Sequence, residues 1–306
     1  MRLAPVILAA ALSLPAWGAR MATRVAHCPL DGAEARTYVQ ISSNTLGGWD
    51  SDLASYASHG QWREYAITTC PKDYFTLLGT DFETPRDEAT LARLREVARE
   101  VQAEVRDPTT LETWDRYAIA ARFYRALGSD EAFVGGLYLT ASWLARDRAV
   151  GEYLGLEGPK AARETLKLGE AELARALSNA DRKKVTYNLA RVAERLGDAS
   201  QRDRYLDAFA TLGLDDAERE ALARFRLMVG TVEPRFQDLA IAEYRAYLGK
   251  PGRPPAEAAR VTYLLADLLR RRGRAAEAVP LYRQAADDPA SSEQIRDLAR
   301  TMLEGL

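Results

Sequence analysis

Apolar residues recur at helical spacing through most of the chain. The clearest example lies at residues 261–289, where one apolar stripe covers residues 264–269 and a second covers residues 278–285. Gly273 separates the two stripes, and a glycine at this point is typical of the end of a helix. The segment is therefore predicted to form a hairpin of two helices, which small residues such as Ala266 allow to pack closely.

The same spacing predicts helices from residue 87 to the carboxyl end. A stretch rich in glycine and proline at residues 249–255 interrupts the pattern, and helical spacing resumes directly after it. The aromatic residues of the second and third helices are interpreted as a core, with a peptide-binding aromatic groove as the alternative. The predicted helices span residues 87–103, 110–127, 130–145, 159–177, 202–212, 216–229, 236–248 and 292–303, besides the helical units at 185–197 and 261–289.

The residues before this helical region have a different pattern. Residues 35–43 and 65–69 carry Tyr, Val, Ile and Thr with partial alternation, which predicts short strands. Between them a turn is expected to lead into a short helix that includes Leu53 and Tyr56, with Asp50 or Ser51 as its cap. Asp50 and Asp52 lack the closing Glu of an EF-hand, so a turn and cap are favoured over a calcium site.

The first residues have the composition of a secretory signal peptide. A basic start at Arg2 precedes an apolar run at residues 3–14 and small residues at 15–19. Cleavage after Gly18 fits the preference for small residues best. Because the apolar run is too short for a comfortable membrane span, the mature protein is expected to be periplasmic or secreted, without a stable span. An uncleaved anchor is the alternative.

The sequence contains two cysteines in matching contexts, Cys28-Pro-Leu-Asp31 and Cys70-Pro-Lys-Asp73. Each context is similar to a zinc knuckle of the Cys-Pro-x-Cys type in which Asp replaces the second Cys. A structural zinc site needs four ligands, and only two thiolates are present here. In an oxidising compartment, two such turns that face each other suit a disulfide.

Three interpretations of the two cysteines remain open. The first is a disulfide between them, which would contribute about 3 to 4 kcal/mol in the chain-entropy model. The second is a zinc ion held by both thiolates and two further ligands from Asp31, Asp73, His27 and His59. The third is that the thiols are free or pair between molecules. The two histidines are otherwise expected to be exposed polar residues.

The helical hairpin near the carboxyl end resembles a tetratricopeptide repeat in the order of its small and large residues. Residues 185–197 repeat several identities of residues 261–273, which indicates an internal repeat. The second half of the earlier unit is degenerate, because Arg202 stands where Ala278 stands in the later unit. A repeat array of this kind implies an extended face that binds a protein or peptide partner.

A second resemblance covers roughly residues 24–180. Its motifs are the two Cys-Pro turns and the segments at 49–53, 65–71, 117–121 and 139–146. In this order they resemble a bacterial family of uncharacterised proteins, domain of unknown function 2225. Members of that family typically have a Cys-Pro-x-Cys pair at each turn, which implies a zinc ribbon followed by tetratricopeptide-like helices. Asp31 and Asp73 depart from that pattern. The family has no established activity to transfer.

The composition and the absence of several sequence motifs exclude some classes of function. The chain has 42 basic and 44 acidic residues, so it lacks the basic excess that nucleic-acid binding needs. Nucleophile elbows, phosphate-binding glycine loops and His-Glu-x-x-His helices do not occur in the sequence. The one basic run, residues 270–274, is expected to remain solvated at a helix end, where it complements the helix dipole. The sequence therefore predicts a protein that is not an enzyme and needs no cofactor.

These expectations combine into one prediction. The fold is mostly α, a tetratricopeptide-like array of helical hairpins with a small β-containing, zinc-ribbon-like module before it. The predicted divisions are a signal peptide at residues 1–22, the module at 23–86 and the helical domain at 87–306. The predicted function is a non-enzymatic interaction or scaffold protein of the bacterial cell envelope, and a zinc-binding protein is the alternative.

Overall fold

A computed structural model describes residues 19–151, 154–175 and 177–306. Residues 1–18 of the predicted signal peptide lie outside this part of the chain. Helices dominate the described residues, as predicted. They are α1 (Glu88–Glu104), α2 (Thr113–Ala126), α3 (Glu131–Val150), α4 (Gly158–Leu173), α5 (Asn179–Leu196), α6 (Ala199–Ala210), α7 (Asp216–Leu227), α8 (Glu233–Leu248), α9 (Pro255–Arg271), α10 (Ala275–Asp287) and α11 (Glu293–Leu303).

Local sequence signals set several helix ends where they were predicted. Asp87 caps α1, since its side chain accepts a hydrogen bond from the Thr90 amide. Gly197 and Gly273 take φ values of +73° and +72° after α5 and α9, a backbone conformation that glycine adopts without strain. The hairpins α5–α6 and α9–α10 are therefore confirmed, whereas their arrangement as a tetratricopeptide array stays a prediction.

One predicted break in the helical region is wrong. Helices α7 and α8 are joined by a turn of π-helix at Met228–Val232, so the chain remains helical between the two segments that the sequence separates. Pro234 lies in the first turn of α8, directly after this π-helical turn, and proline has no amide proton to continue the hydrogen-bond ladder. The gap in the sequence pattern therefore corresponds to a change from α-helix to π-helix, and the helical backbone does not stop there.

The module before α1 consists of short strands. They are β1 (Arg20–His27), β2 (Glu34–Ser42), β3 (Gly48–Trp49), β4 (Ser55–Tyr56), β5 (Ile67–Thr69) and β6 (Thr76–Leu78), and β7 (Leu156–Glu157) lies before α4. The pairs β1–β2, β3–β4 and β5–β6 are antiparallel. The helix predicted to include Leu53 is wrong, because Leu53 has a φ of +68° and lies in the hairpin loop between β3 and β4.

Strand β3 joins the module to the helical region. It pairs in parallel with β7, and Gly48 lies opposite Leu156. A Cβ atom at Gly48 would lie 1.7 Å from the carbonyl oxygen of Leu156. Because Gly48 also has a φ of +82°, only glycine permits this approach of the two backbones.

A single apolar core extends from the module through the helical region. Helix α3 lies near its centre and packs against α2, α5 and α8. Most aromatic side chains of α2 and α3 are buried, among them Tyr117, Phe123 and Tyr138, whereas Phe133 is 40% exposed. These side chains therefore form the core that the first interpretation predicts. Within the described residues, the helices are too short or too polar to cross a membrane.

Candidate functional site

The two cysteine turns of the module have the same local geometry and are covalently joined. Cys28 and Cys70 form a disulfide with their Cα atoms 5.8 Å apart. In the first turn the Ala33 amide donates to Asp31 Oδ1 at 2.8 Å, and in the second the Phe75 amide donates to Asp73 Oδ1 at 2.8 Å. Each aspartate therefore closes its own turn. Of the three interpretations of the cysteines, the structure therefore has the disulfide.

The predicted zinc ligands are only partly brought together. Oxygen and sulfur atoms of Cys28, Cys70 and Asp73 lie within 4.8 Å of one another. Asp73 Oδ2 is buried without a hydrogen-bond partner, and burial together with the nearby Asp31 carboxylate raises the pKa of Asp73. Among the described residues, neither histidine belongs to this group. Because both sulfurs are in the disulfide, metal binding here would first require reduction.

The loop between β3 and β4 carries acidic residues into the interior. Asp50 and Asp52 are 3% and 0% exposed. Arg146 of α3 donates from Nη1 to Asp50 Oδ2 at 3.1 Å and from Nη2 to Asp52 Oδ2 at 2.7 Å. Arg195 of α5 donates from Nε to the other oxygen of Asp50 at 2.7 Å. The predicted cap at Asp50 is therefore wrong, because both aspartates pair with buried arginines.

Helix α9 contacts the same loop. Ser51 donates from Oγ to Asp267 Oδ2 at 3.0 Å, and the Tyr263 hydroxyl donates to the Ser51 carbonyl oxygen at 2.5 Å. Arg271 donates from Nε to Asp267 at 2.9 Å. Helices α5 and α9, the first helices of the two hairpins, thus direct polar side chains at the loop. The space between α3, α5 and α9 is filled by the module.

These charged side chains form one group, which we call the ionic cluster. Its members are Asp50, Asp52, Arg146, Glu194, Arg195, Glu233, Asp267, Arg270 and Arg271, and each side chain is at least nine-tenths buried. Five carboxylates face these four guanidinium groups, and Arg202 at the edge of the cluster adds a fifth through its contact with Glu194 at 2.7 Å.

Glu233 differs from the other acids of the ionic cluster. Its Oε1 accepts from Arg146 Nη2 at 2.6 Å and from Gln237 Nε2 at 2.8 Å, while its buried Oε2 has no partner. Burial, together with the negative charge of Glu194, raises the pKa of Glu233 to about 8. Burial acts on Asp52 in the same direction, but Arg146 and Arg271 overcome it and hold the pKa of Asp52 well below its usual value.

The prediction that the basic run at the end of α9 is solvated is wrong for Arg270 and Arg271, whose side chains are at least nine-tenths buried. Arg270 donates to the carbonyl oxygens of Leu196 and Gly197 at 3.0 Å each, and Arg271 donates to that of Arg195 at 2.9 Å. These carbonyls terminate α5, where a positive charge is favourable. The two arginines therefore satisfy the end of a neighbouring helix. Arg272, by contrast, lies on the surface and pairs with Asp238 at 2.9 Å.

A groove lies on the outside of the helical region, between α5, α6 and α7. It has a volume of about 560 Å³ and is lined by Ala180, Lys184, Tyr187, Phe209 and Ala221, among others. The Tyr187 ring lies 5.0 Å from the ring of Phe209. The groove thus combines an aromatic floor with lysine side chains.

Comparisons with known proteins identify a family for this chain. The family model described as an uncharacterized protein conserved in bacteria (DUF2225) matches residues 22–305. No curated protein and no solved structure matches the chain. The match covers most of the chain, including the helical hairpins beyond residue 180. The chain therefore belongs to the bacterial DUF2225 family.

Proposed function

We propose that the protein is a non-enzymatic interaction protein of the bacterial cell envelope that binds a protein or peptide with its helical region. The buried disulfide supports an oxidising compartment, because disulfides persist there and are rare in the cytosol. The predicted signal peptide fits the same location. The observation that carries the binding role is the groove between α5, α6 and α7.

The ionic cluster supports the choice of an outer surface for binding. The loop that carries Asp50 and Asp52 fills the space between α3, α5 and α9, and its charges are paired with arginines of those helices. A partner would have to displace this loop and leave several charges buried without partners, which costs several kcal/mol. Binding on the outside avoids that cost.

The outer groove has the properties of a peptide-binding surface. Tyr187 and Phe209 provide an apolar floor between antiparallel helices, a common setting for bound side chains. Lys183 is already paired with Glu218 at 2.6 Å, whereas Lys184 lines the groove and can contact an acidic group. We therefore expect a partner segment with a large apolar side chain near a carboxylate.

Photo-cross-linking in cells that export the protein tests this proposal. A photoreactive amino acid replaces Ala221 in the groove, and the same amino acid replaces the exposed Arg300 on α11 as the control. We expect a covalent adduct with a second protein at the groove position, reduced by Lys184→Glu, and none at the control position. Equal adducts at both positions, or none at either, would contradict the proposal.

A zinc-binding role is the second candidate, and the clustering of Cys28, Cys70 and Asp73 favours it. We propose that a dithiol reductant, itself oxidised to a disulfide, reduces Cys28–Cys70 to two thiols. These thiols lose their protons and bind zinc together with Asp73 and with Asp31 or water as the fourth ligand. Native mass spectrometry of the reduced protein with added zinc tests this. One bound zinc that is lost in Asp73→Ala supports the site, and unchanged zinc binding in that variant excludes it.

A further inference from the structure

Two adjacent glycines lie in the second turn of α3, and a glycine inside a helix costs up to about 1 kcal/mol relative to alanine. Packing explains the first of them. A Cβ atom at Gly135 would lie 2.5 Å from the ring of Tyr244 in α8, so α3 and α8 can approach this closely only at a glycine. Packing does not explain Gly136, whose Cβ would meet no atom within 4 Å.

Gly136 opens onto a groove of about 420 Å³ between the module and the helical region. Trp62 of the module and Phe133 and Leu137 of α3 line this groove. Thr140, one turn beyond Gly136, donates from Oγ1 to the Gly136 carbonyl oxygen at 2.8 Å, which fixes the orientation of its side chain. The missing side chain at Gly136 therefore leaves free space in the groove.

The dimensions of this groove suit an extended chain. Its lining follows α3 from Asp130 to Thr140, a distance of about 15 Å at the rise of an α-helix. That length matches about four or five residues of extended peptide. A backbone that lies along this face of α3 can approach the helix closely at Gly136, where no side chain intervenes.

The charges around the groove indicate the side chains of its occupant. Asp130 and Glu257 contribute two carboxylates, whereas Arg260 contributes one guanidinium group, which lies 3.2 Å from Glu257. Asp130 therefore has no cation among the lining side chains, although it also caps α3 by accepting from the Phe133 amide at 2.9 Å. The exposed ring of Phe133 and the half-buried ring of Trp62 offer aromatic faces, which attract cations as well as apolar groups.

We propose that this groove, which we call the Gly136 groove, binds an extended segment of a partner protein that carries a basic residue beside an apolar one. The backbone of the segment follows α3 and passes over Gly136. The apolar side chain packs against Leu137, and the basic side chain lies on the aromatic rings near Asp130. This extends the proposed function to a second surface.

Selection from a phage-displayed library of random linear peptides tests the inference with the intact exported protein. The variant Gly136→Trp fills the groove, and Gly136→Ala is the matched control because its methyl group meets no neighbour. We expect selected peptides to share a Lys or Arg next to a large apolar residue. Their affinity should fall more than about tenfold in Gly136→Trp and in Phe133→Ala, a loss of about 1.4 kcal/mol or more, and should be largely retained in Gly136→Ala.

The remaining outcomes decide against the inference in distinguishable ways. Peptides that bind Gly136→Trp as well as wild type, or that share acidic residues, overturn the assignment of the Gly136 groove. If those peptides instead lose affinity in Tyr187→Ala, the proposed function stands and only the second surface is lost. Failure to select any peptide overturns the Gly136 groove alone, because cross-linking at Ala221 tests the proposed function separately. Circular dichroism checks the fold of each variant, and Phe133→Ala carries the test if Gly136→Trp does not fold.

Discussion

Replacement of Arg146 by methionine tests whether the ionic cluster holds the module in the helical region. Arg146 is fully buried and hydrogen-bonds to Asp50, Asp52 and Glu233 at 2.6 to 3.1 Å. Methionine has a similar length but no charge, so three carboxyl groups lose their shared donor. Asp52 retains a hydrogen bond from Trp143 Nε1 at 3.0 Å, which compensates only in part.

The expected loss is large relative to the stability of a protein domain. Removal of one partner from a buried ion pair costs about 3 to 5 kcal/mol, compared with a total of about 5 to 15 kcal/mol for typical proteins. The loss should depend on pH. In wild type the lowered pKa of Asp52 contributes stability above its usual pKa that is lost as the pH falls. Without Arg146, burial favours protonated Asp52, so the difference between the two proteins should shrink at acid pH.

Urea denaturation followed by circular dichroism at neutral pH and at pH about 4 measures the loss, given the usual pKa of aspartate. The matched control is Arg148→Met, two residues along the same helix. Arg148 is 57% exposed and lies 3.9 Å from Glu112, so this change should alter the free energy of unfolding by no more than about 0.5 kcal/mol. If Arg146→Met costs no more than the control, the ionic cluster does not stabilise the fold as described.

Three further substitutions give independent predictions. Glu233→Gln should gain stability relative to wild type as the pH rises from 4.5 to about 8, by up to about 1.4 kcal/mol per pH unit. Over this range wild-type Glu233 ionises in the unfolded chain but stays protonated in the folded protein, so only wild type loses stability. Parallel dependence of the two proteins on pH would refute the raised pKa. Replacement of Cys28 and Cys70 by alanine should cost about 4 kcal/mol for a separation of 42 residues, and dithiothreitol should then have no additional effect on unfolding. Gly136→Ala should stabilise the protein by about 1 kcal/mol. Gly135→Ala should instead destabilise it by about 1 to 3 kcal/mol, because the added methyl group overpacks the contact with α8. Equal effects of the two variants on thermal unfolding would contradict the packing described for α3.

The helical hairpins could be predicted because their signals are local. Helical spacing and a glycine with positive φ fix the turns after α5 and α9, and Ser292 caps α11 by accepting from the Ile295 amide. Each of these features depends on a few neighbouring residues. The repeated cysteine turns also suggested a disulfide as one of three interpretations, but the pairing itself joins residues 42 apart.

The ionic cluster could not be predicted in the same way, because its partners are distant in sequence. Asp50 and Arg195 are 145 residues apart. An Asp-Ser-Asp turn considered from sequence alone is usually predicted to be a solvent-exposed helix cap. A signal was nevertheless present. Arg195 and Arg271 occupy equivalent positions of the internal repeat, and both are buried. A charged residue repeated at one position of two helices indicates a shared structural role.

The Gly136 groove could not be predicted from the sequence for a different reason. A glycine inside a helix can mark close packing or free space, and the two cases look alike in the sequence. Gly135 and Gly136 are adjacent examples of each, since Tyr244 approaches the first and no atom approaches the second. Only the arrangement of α8 and the module around α3 distinguishes them.

Hydrogen exchange of the folded protein, followed by mass spectrometry, tests the central claim that the module loop fills the space between α3, α5 and α9. The Asp50 amide donates to the Ala54 carbonyl oxygen at 2.9 Å and the Leu53 amide to that of Asp50 at 3.0 Å. Because these groups are buried with the ionic cluster, peptides that cover residues 49–56 should be as strongly protected as peptides from α9. Rapid exchange of the loop while α9 stays protected would contradict the account.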